Sequence, residues 1–211
     1  MTPPAAGVEA GGAAPGRRRG RPRASGRATE LDAREEILRA AASLFSTRGI
    51  GATRLADIAA AVGVTPPSIY YHFDNLDAIV GTLLDYVIVE SSAFATSVRT
   101  GPGDAAQRLH ALIAQHVERL TRGPFDLWFV AGLSEQNARR FPDVGRRARA
   151  WRRAVAALVA EGVAAGAFSP VDADVAVSAI SGLVYGALEL NHRGRTVDSG
   201  RIATLALRAL A

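Results

Sequence analysis

"TRLADIAAAVGVTPPSIYYHF", Thr53 to Phe73, reads as two short helices joined by a turn that contains a glycine. Leu55, Ile58, Ala59 and Val62 stand at i, i+3, i+4 and i+7, the apolar stripe of a helix from Arg54 to about Ala61, with Thr53 placed to cap it. Gly63 breaks that helix, Val64 is apolar, and Thr65 can cap the next one. Pro66 and Pro67 fall in its first turn, where a missing N–H removes no intrahelical bond. In "SIYYHF", Ile69 and Phe73 are four apart and point inward. Ser68, Tyr71 and His72 then face outward together, with Tyr70 near the edge. A hydroxyl, two phenols and an imidazole suit base edges, thymine methyls and phosphates.

The flanks continue the pattern. Ile37, Leu38, Ala41, Leu44 and Phe45 form an amphipathic stripe that "TRGIG" (47–51) ends with glycine punctuation. After Phe73, Asp74 is expected to cap a fourth helix, with Asp77 three residues on and Leu76, Ile79, Val80, Leu83, Leu84 and Val87 as its apolar face. Three short helices, the second and third joined by a tight turn, describe a helix-turn-helix over about 53–73. An α-helix fits the major groove of B-DNA, and a preceding helix across its back sets the angle of entry.

The run "REEILRAAASLFSTRGIGATRLADIAAAVGVTPPSIYYHFDNLDAIVGTLL", residues 34–84, resembles the N-terminal domain of TetR-type (tetracycline-repressor-like) transcriptional regulators. The likeness rests on "AAASLFSTRGIGAT", "LADIAAAVGV" and "SIYYHFDNLDAIV" in that order. It implies phosphate contacts from Thr53 and Arg54, and base or phosphate contacts from Thr65, Pro67, Ser68, Tyr70, Tyr71 and His72. It departs from the family at Leu76, where many members carry a lysine. For residues 90–211 the resemblance implies only an all-helical domain for ligand binding and dimerisation.

The charge distribution points the same way. All 25 basic side chains are arginine, and six of them crowd into "GRRRGRPRASGR", residues 16–27. Residues 1–29 carry a balance of +5, residues 30–84 of −3 and residues 85–211 of +3. Rich in Pro, Gly and Ala and without apolar periodicity, residues 1–30 are expected to be a disordered arm. "RGRP", Arg19–Pro22, resembles the AT-hook, in which an extended Arg-Gly-Arg-Pro lies in a narrow A·T-rich minor groove. Arg19 and Arg21 therefore join the candidate DNA contacts, a cationic arm preceding a major-groove reader.

The remaining sequence is helical in pattern, with Gly/Pro stops at 100–103, 122–124, 140–143, 166–170 and 191–194 and no convincing period-2 run. An all-α protein of about nine helices is expected: an arm (1–30), a helix-turn-helix domain (31–84) and a ligand-binding and dimerisation bundle (85–211). Large side chains at Phe94, His110, His116, Trp128 and Trp151 are the candidates for lining a ligand pocket between helices. The amphipathic stretch "RRARAWRRAVAALVAEG" (146–162) has an arginine-laden face that reads as solvated rather than as a site for an acidic effector. Small residues in "AVSAISGLVYGALEL" allow close helix approach, so Ser178, Ser181, Gly182, Tyr185 and Gly186, with Leu205 on the last helix, are candidates for a homodimer interface.

Several chemistries find no support. The chain has no cysteine, which excludes disulfides, thiolate metal sites and a cysteine nucleophile and fits a cytoplasmic setting. Glu189 and His192 make a single ExxH pair, whereas a di-iron bundle needs two plus further glutamates, so no metal or cofactor is expected. GxSxG, GxxxxGK and GxGxxG are all missing, so no enzyme is expected either. No run of about 18 apolar residues suggests a membrane span, and no apolar stretch follows the arginines as a secretory signal would require. The expected protein is a homodimeric, ligand-responsive repressor on a pseudo-palindromic DNA operator. Its rivals are a ligand-independent DNA-binding or architectural protein, and a helical small-molecule-binding protein with an incidental basic tail.

Overall fold

Over residues 26–132 and 140–211, which the computed structural model describes, the backbone closes eight α-helices and one 3-10 turn, with no strand. The helices are α1 (Gly26–Arg48), α2 (Leu55–Val62), α3 (Pro66–Tyr70), α4 (Leu76–Val98), α5 (Ala105–Thr121), α6 (Pro142–Ala164), α7 (Ala173–His192) and α8 (Ser199–Arg208), with the 3-10 turn at Trp128–Gly132. The all-α expectation holds. Helix α1 begins at Gly26, inside the stretch expected to be an arm; Ala28, Glu30 and Leu31 are good helix formers by propensity. Arg19 and Arg21 lie outside the described residues.

The turn between α2 and α3 is built on Gly63, at φ +74°. Its N–H reaches the Ala60 carbonyl at 3.2 Å, and the Val64 N–H reaches that of Ala59 at 2.9 Å. These two bonds satisfy carbonyls at the end of α2 and turn the chain, a geometry only glycine adopts without strain. Two helix starts differ from expectation. Thr53 is buried and its hydroxyl donates to the Gly49 carbonyl at 2.9 Å, so it caps nothing. The Asp57 carboxylate instead accepts the Arg54 N–H at 2.8 Å. Helix α4 is capped by Asn75 rather than Asp74: Asn75 has the extended backbone (φ −163°, ψ 176°) that lets its Oδ1 accept the Ala78 N–H at 2.9 Å.

Ile37, Leu38, Ala41 and Phe45 of α1 meet Ile58 and Ala59 of α2, Ile69 and Phe73 around α3, and Ile79, Val80 and Leu83 of α4 in one buried core. The Arg34 guanidinium lies 4.6 Å over the Phe73 ring. Helix α5 is the hub of the rest, touching α4, α6, α7 and α8 through the fully buried Leu109, Leu112, Ile113 and Val117. Aspartates fix the starts of three of these helices: Asp104 accepts the Gln107 N–H, Asp172 those of Asp174 and Val175, and Asp198 that of Arg201.

Helix α6 ends in a tight turn at Gly162. The Ala167 and Phe168 N–H groups both reach the Gly162 carbonyl, and the buried Phe168 ring lies against Gly162, where a Cβ would overlap its Cδ2 and Cε2. Gly162→Ala is therefore expected to destabilise the protein by about 1–3 kcal/mol, since overpacking forces the ring and the turn to shift. In a thermal melt that is a fall of roughly 3–10 °C, and an unchanged Tm would contradict the packing described.

Candidate functional site

Two features stand out for function, an exposed helix face at one end of the molecule and a cavity inside the bundle. On α3 the side chains divide as the spacing predicts. Ile69 and Phe73 are buried, whereas Thr65, Pro67, Ser68, Tyr70 and Tyr71 are exposed and His72 is half-buried. Tyr71, 76% exposed, stands edge-on to the His72 ring with centroids 5.1 Å apart. Thr65 Oγ1 and Ser68 Oγ share a hydrogen bond at 3.1 Å, which orients two hydroxyls on this face. Arg54 is exposed at the start of α2. Thr53 does not join them, because its side chain is enclosed and its hydroxyl is committed to Gly49. The face is thus a short rigid ridge of phenols, hydroxyls and an imidazole, held from behind by two buried apolar anchors.

The cavity, about 460 Å³, lies between α4, α5, α6 and α7. Its deep wall is Leu84, Val87 and Ile88 of α4, Leu120 of α5 and Val184 of α7, all apolar. Of the five sequence candidates, His116 and Trp151 line it. The other three do not. His110 contacts the Gly200 carbonyl and Thr204 Oγ1 in the α5–α8 seam, both at 3.2 Å, Trp128 stacks on His192, and Phe94 packs against the core.

His116 is the polar centre of the cavity wall. Its Nδ1 lies 2.9 Å from the Oγ of Ser91, itself fully buried, and its ring is tilted against Trp151 with centroids 4.6 Å apart. Burial lowers its pKa from 6.5 to about 4, so the imidazole is neutral at pH 7. The Trp151 indole N–H is buried and has no hydrogen-bond partner among the described residues. Four further lining residues, Arg152, Ser178, Gly182 and Tyr185, are exposed and mark the open side. The aliphatic wall and Arg152 escaped sequence reading, because nothing in a Leu, a Val or a helix-face Arg distinguishes cavity lining from core or solvent.

Cavity and helix face are mechanically joined. Helix α4 runs from the capped start beside α3 to the cavity wall at Leu84–Ile88. A second connection passes through the 3-10 turn, whose Val130 also lines the cavity. The Ser46 hydroxyl, on α1, donates to the Asp126 carbonyl and accepts the Phe129 N–H, each at 3.1 Å. Phe129 packs edge-on to Phe45, and the Asp126 carboxylate pairs with His192 at 2.8 Å at the end of α7. Residues 126–130 therefore tie α1, the cavity and α7 together. Among the described residues no group of three or more His, Asp or Glu side chains could hold a metal ion.

Comparison with known proteins fits both features. Residues 37–83 match the model of bacterial regulatory proteins of the tetR family, and residues 102–189 match that of a tetracyclin repressor-like C-terminal domain. The crystal structure of AmtR from Mycobacterium smegmatis is similar at a TM-score of 0.72 and 33% identity, over 92% of this chain and 88% of that one. The HTH-type transcriptional repressor KstR2 of Rhodococcus jostii is 32% identical over 87 residues, 41% of this chain and 43% of KstR2. The HTH-type transcriptional regulator TtgR of Pseudomonas putida is 46% identical over 54 residues, 26% of each chain. The chain thus matches less than half the length of either of these curated relatives.

Proposed function

The chain belongs to the tetR family of bacterial regulatory proteins, and from that premise we propose that it is a cytoplasmic transcriptional repressor that binds operator DNA as a homodimer and releases it when a small molecule fills the cavity. The observation that carries this reading is the direct run of α4 from the α3 ridge to the cavity wall. A molecule lodged against Leu84, Val87 and Ile88 biases the position of α4, and hence of Ser68, Tyr70 and Tyr71 relative to DNA. By linkage, DNA weakens the ligand by the same factor, typically ~5–150-fold.

A homodimer through α7 and α8 is supported by what their outer faces expose. Val175, Tyr185, Leu190 and Leu205 are large hydrophobic side chains left 43–60% exposed on these two helices. Gly182 and Gly186 have nothing within 4 Å of where a Cβ would stand, so nothing described within the protomer requires their small size. A close-packed partner helix would. Ser178, Ser181, Gly182 and Tyr185 also edge the cavity, so the proposed interface and ligand site adjoin. Two-fold symmetry then presents two α3 ridges to half-sites one helical turn apart, ~34–36 Å. Light scattering together with footprinting tests the reading: a dimer protecting a pseudo-palindrome is expected, and a monomer at micromolar concentration that protects no site would overturn it.

The Arg-rich arm adds a graded expectation. Replacing Arg19 and Arg21 together by alanine should weaken binding most on operators with A·T-rich flanks and flatten the dependence of affinity on salt, by a slope of ~2 per protomer if each arginine meets one phosphate. Equal losses on A·T-rich and G·C-rich flanks would reduce the arm to plain electrostatics.

A further inference from the structure

We infer that the cavity selects a single-headed anionic amphiphile, an apolar body ending in a carboxylate, which enters tail first and leaves its head at Arg152. The inference rests on the cavity being the effector site and goes on to name the chemistry of the effector. Polarity along the cavity is graded. Its deep end is mainly aliphatic, and its two polar rings are uncharged: His116, which is neutral and has Nδ1 engaged by Ser91, and Trp151, whose buried indole N–H has no partner among the described residues. No charged group lies there to meet a buried ion, and an unpaired ion in such a place is strongly disfavoured. The mouth is different: Arg152, on the α6 side, is exposed there, whereas Ser178 and Tyr185 on the α7 side belong to the proposed dimer interface.

Arg146 and Arg147 of α6 pair with Asp143 and Asp85, whereas Arg149, Arg152 and Arg153 have no carboxylate partner among the described residues, and of these three only Arg152 lines the cavity. None of the described lining residues is Asp or Glu, so a cationic ligand would meet only a like charge. The volume admits a chain and not just an ion, since it equals about fifteen waters at ~30 Å³ each. An apolar tail gains from the aliphatic wall, and a carboxylate suits the forked donors of a guanidinium at a site where it stays partly hydrated.

Three probes of equal length separate the alternatives: decanoate, decanol and decylammonium, titrated at pH 7.5 into the full-length protein. Tryptophan fluorescence is the readout, because Trp151 is part of the wall, with thermal shift as a second measure. Decanoate is expected to bind roughly fivefold tighter than decanol and at least about tenfold tighter than decylammonium, as a half-exposed ion pair allows. Arg152→Ala should remove the preference for decanoate while leaving decanol unchanged, Arg152→Lys should keep much of it, and Arg152→Glu should make decylammonium the best of the three. Arg152 is exposed, so these variants leave the core intact. Decyl sulfate binding as tightly as decanoate would broaden the head to any monoanion and overturn the carboxylate. Decylammonium or decanol matching decanoate, or indifference to Arg152→Glu, would overturn the anionic class alone. Failure of all three probes to bind would overturn the cavity as a ligand site.

Discussion

Tyr71→Ala is expected to abolish most operator affinity while leaving the fold intact. Its ring is 76% exposed and contributes nothing to the core that Ile69 and Phe73 form behind it, so the protein should lose no more than ~0.5 kcal/mol of stability. On DNA, a lost contact in each half-site costs about 1–3 kcal/mol, and the dimer loses it twice. The expected fall is therefore roughly 30-fold to 10⁴-fold, measured by fluorescence anisotropy on the footprinted site at fixed salt. Tyr71→Phe separates the two contributions of the side chain, since it keeps the ring against His72 and removes only the hydroxyl. Ile69→Ala is the contrasting case. It too should lose binding, but by emptying a fully buried position and lowering Tm. Unchanged affinity in Tyr71→Ala would remove this residue from the interface and shift the reading to Ser68 and Tyr70.

How much of this was legible in the sequence follows from where the information lies. The helix-turn-helix was readable because its constraints are local: Gly63 needs a positive φ, Pro66 and Pro67 fit only a first turn, and Ile69 and Phe73 share one face by spacing alone. Capping was readable only to within a residue. Asp74 and Asn75 are both good caps, and the choice depends on which one has the extended backbone after Phe73 is buried. Thr53 shows the same limit, since its tertiary enclosure and bond to Gly49 override its capping propensity.

The cavity was legible only in part. His116 and Trp151 were reachable because a polar or very large side chain on a bundle helix is conspicuous, but the same reasoning put forward His110 and Trp128, which serve inter-helix seams. No local signal separates these cases, because a cavity is defined by where four helices fail to meet. Arg152 is the sharpest instance. The sequence places it with Arg146, Arg149 and Arg153 on a solvated face, and only the packing of α6 against α7 brings it to the cavity mouth.

His116 carries the second large effect, on stability against pH. Burial holds the folded imidazole at a pKa of about 4, whereas in the unfolded chain it titrates near 6.5. Between these values the unfolded state binds a proton that the native state refuses, so stability rises with pH across the window and falls as the solution is acidified. The contribution is complete above pH 6.5, is lost progressively toward pH 4, and stays lost below it. Over the whole window it is on the order of 3 kcal/mol, and between pH 7.5 and pH 5 about 2 kcal/mol. Urea unfolding at fixed protein concentration should show it as the difference between the wild type and His116→Gln, a side chain of similar reach that does not titrate. Carboxylates and the His192–Asp126 pair are common to both proteins and cancel in that difference. The variant should be the less pH-sensitive of the two below pH 6.5. Parallel curves would mean that the imidazole reaches solvent or a counter-charge when protonated, and the cavity wall would then have to open in acid. A ligand filling the cavity should steepen the wild-type curve, because it excludes the water that a protonated His116 would need.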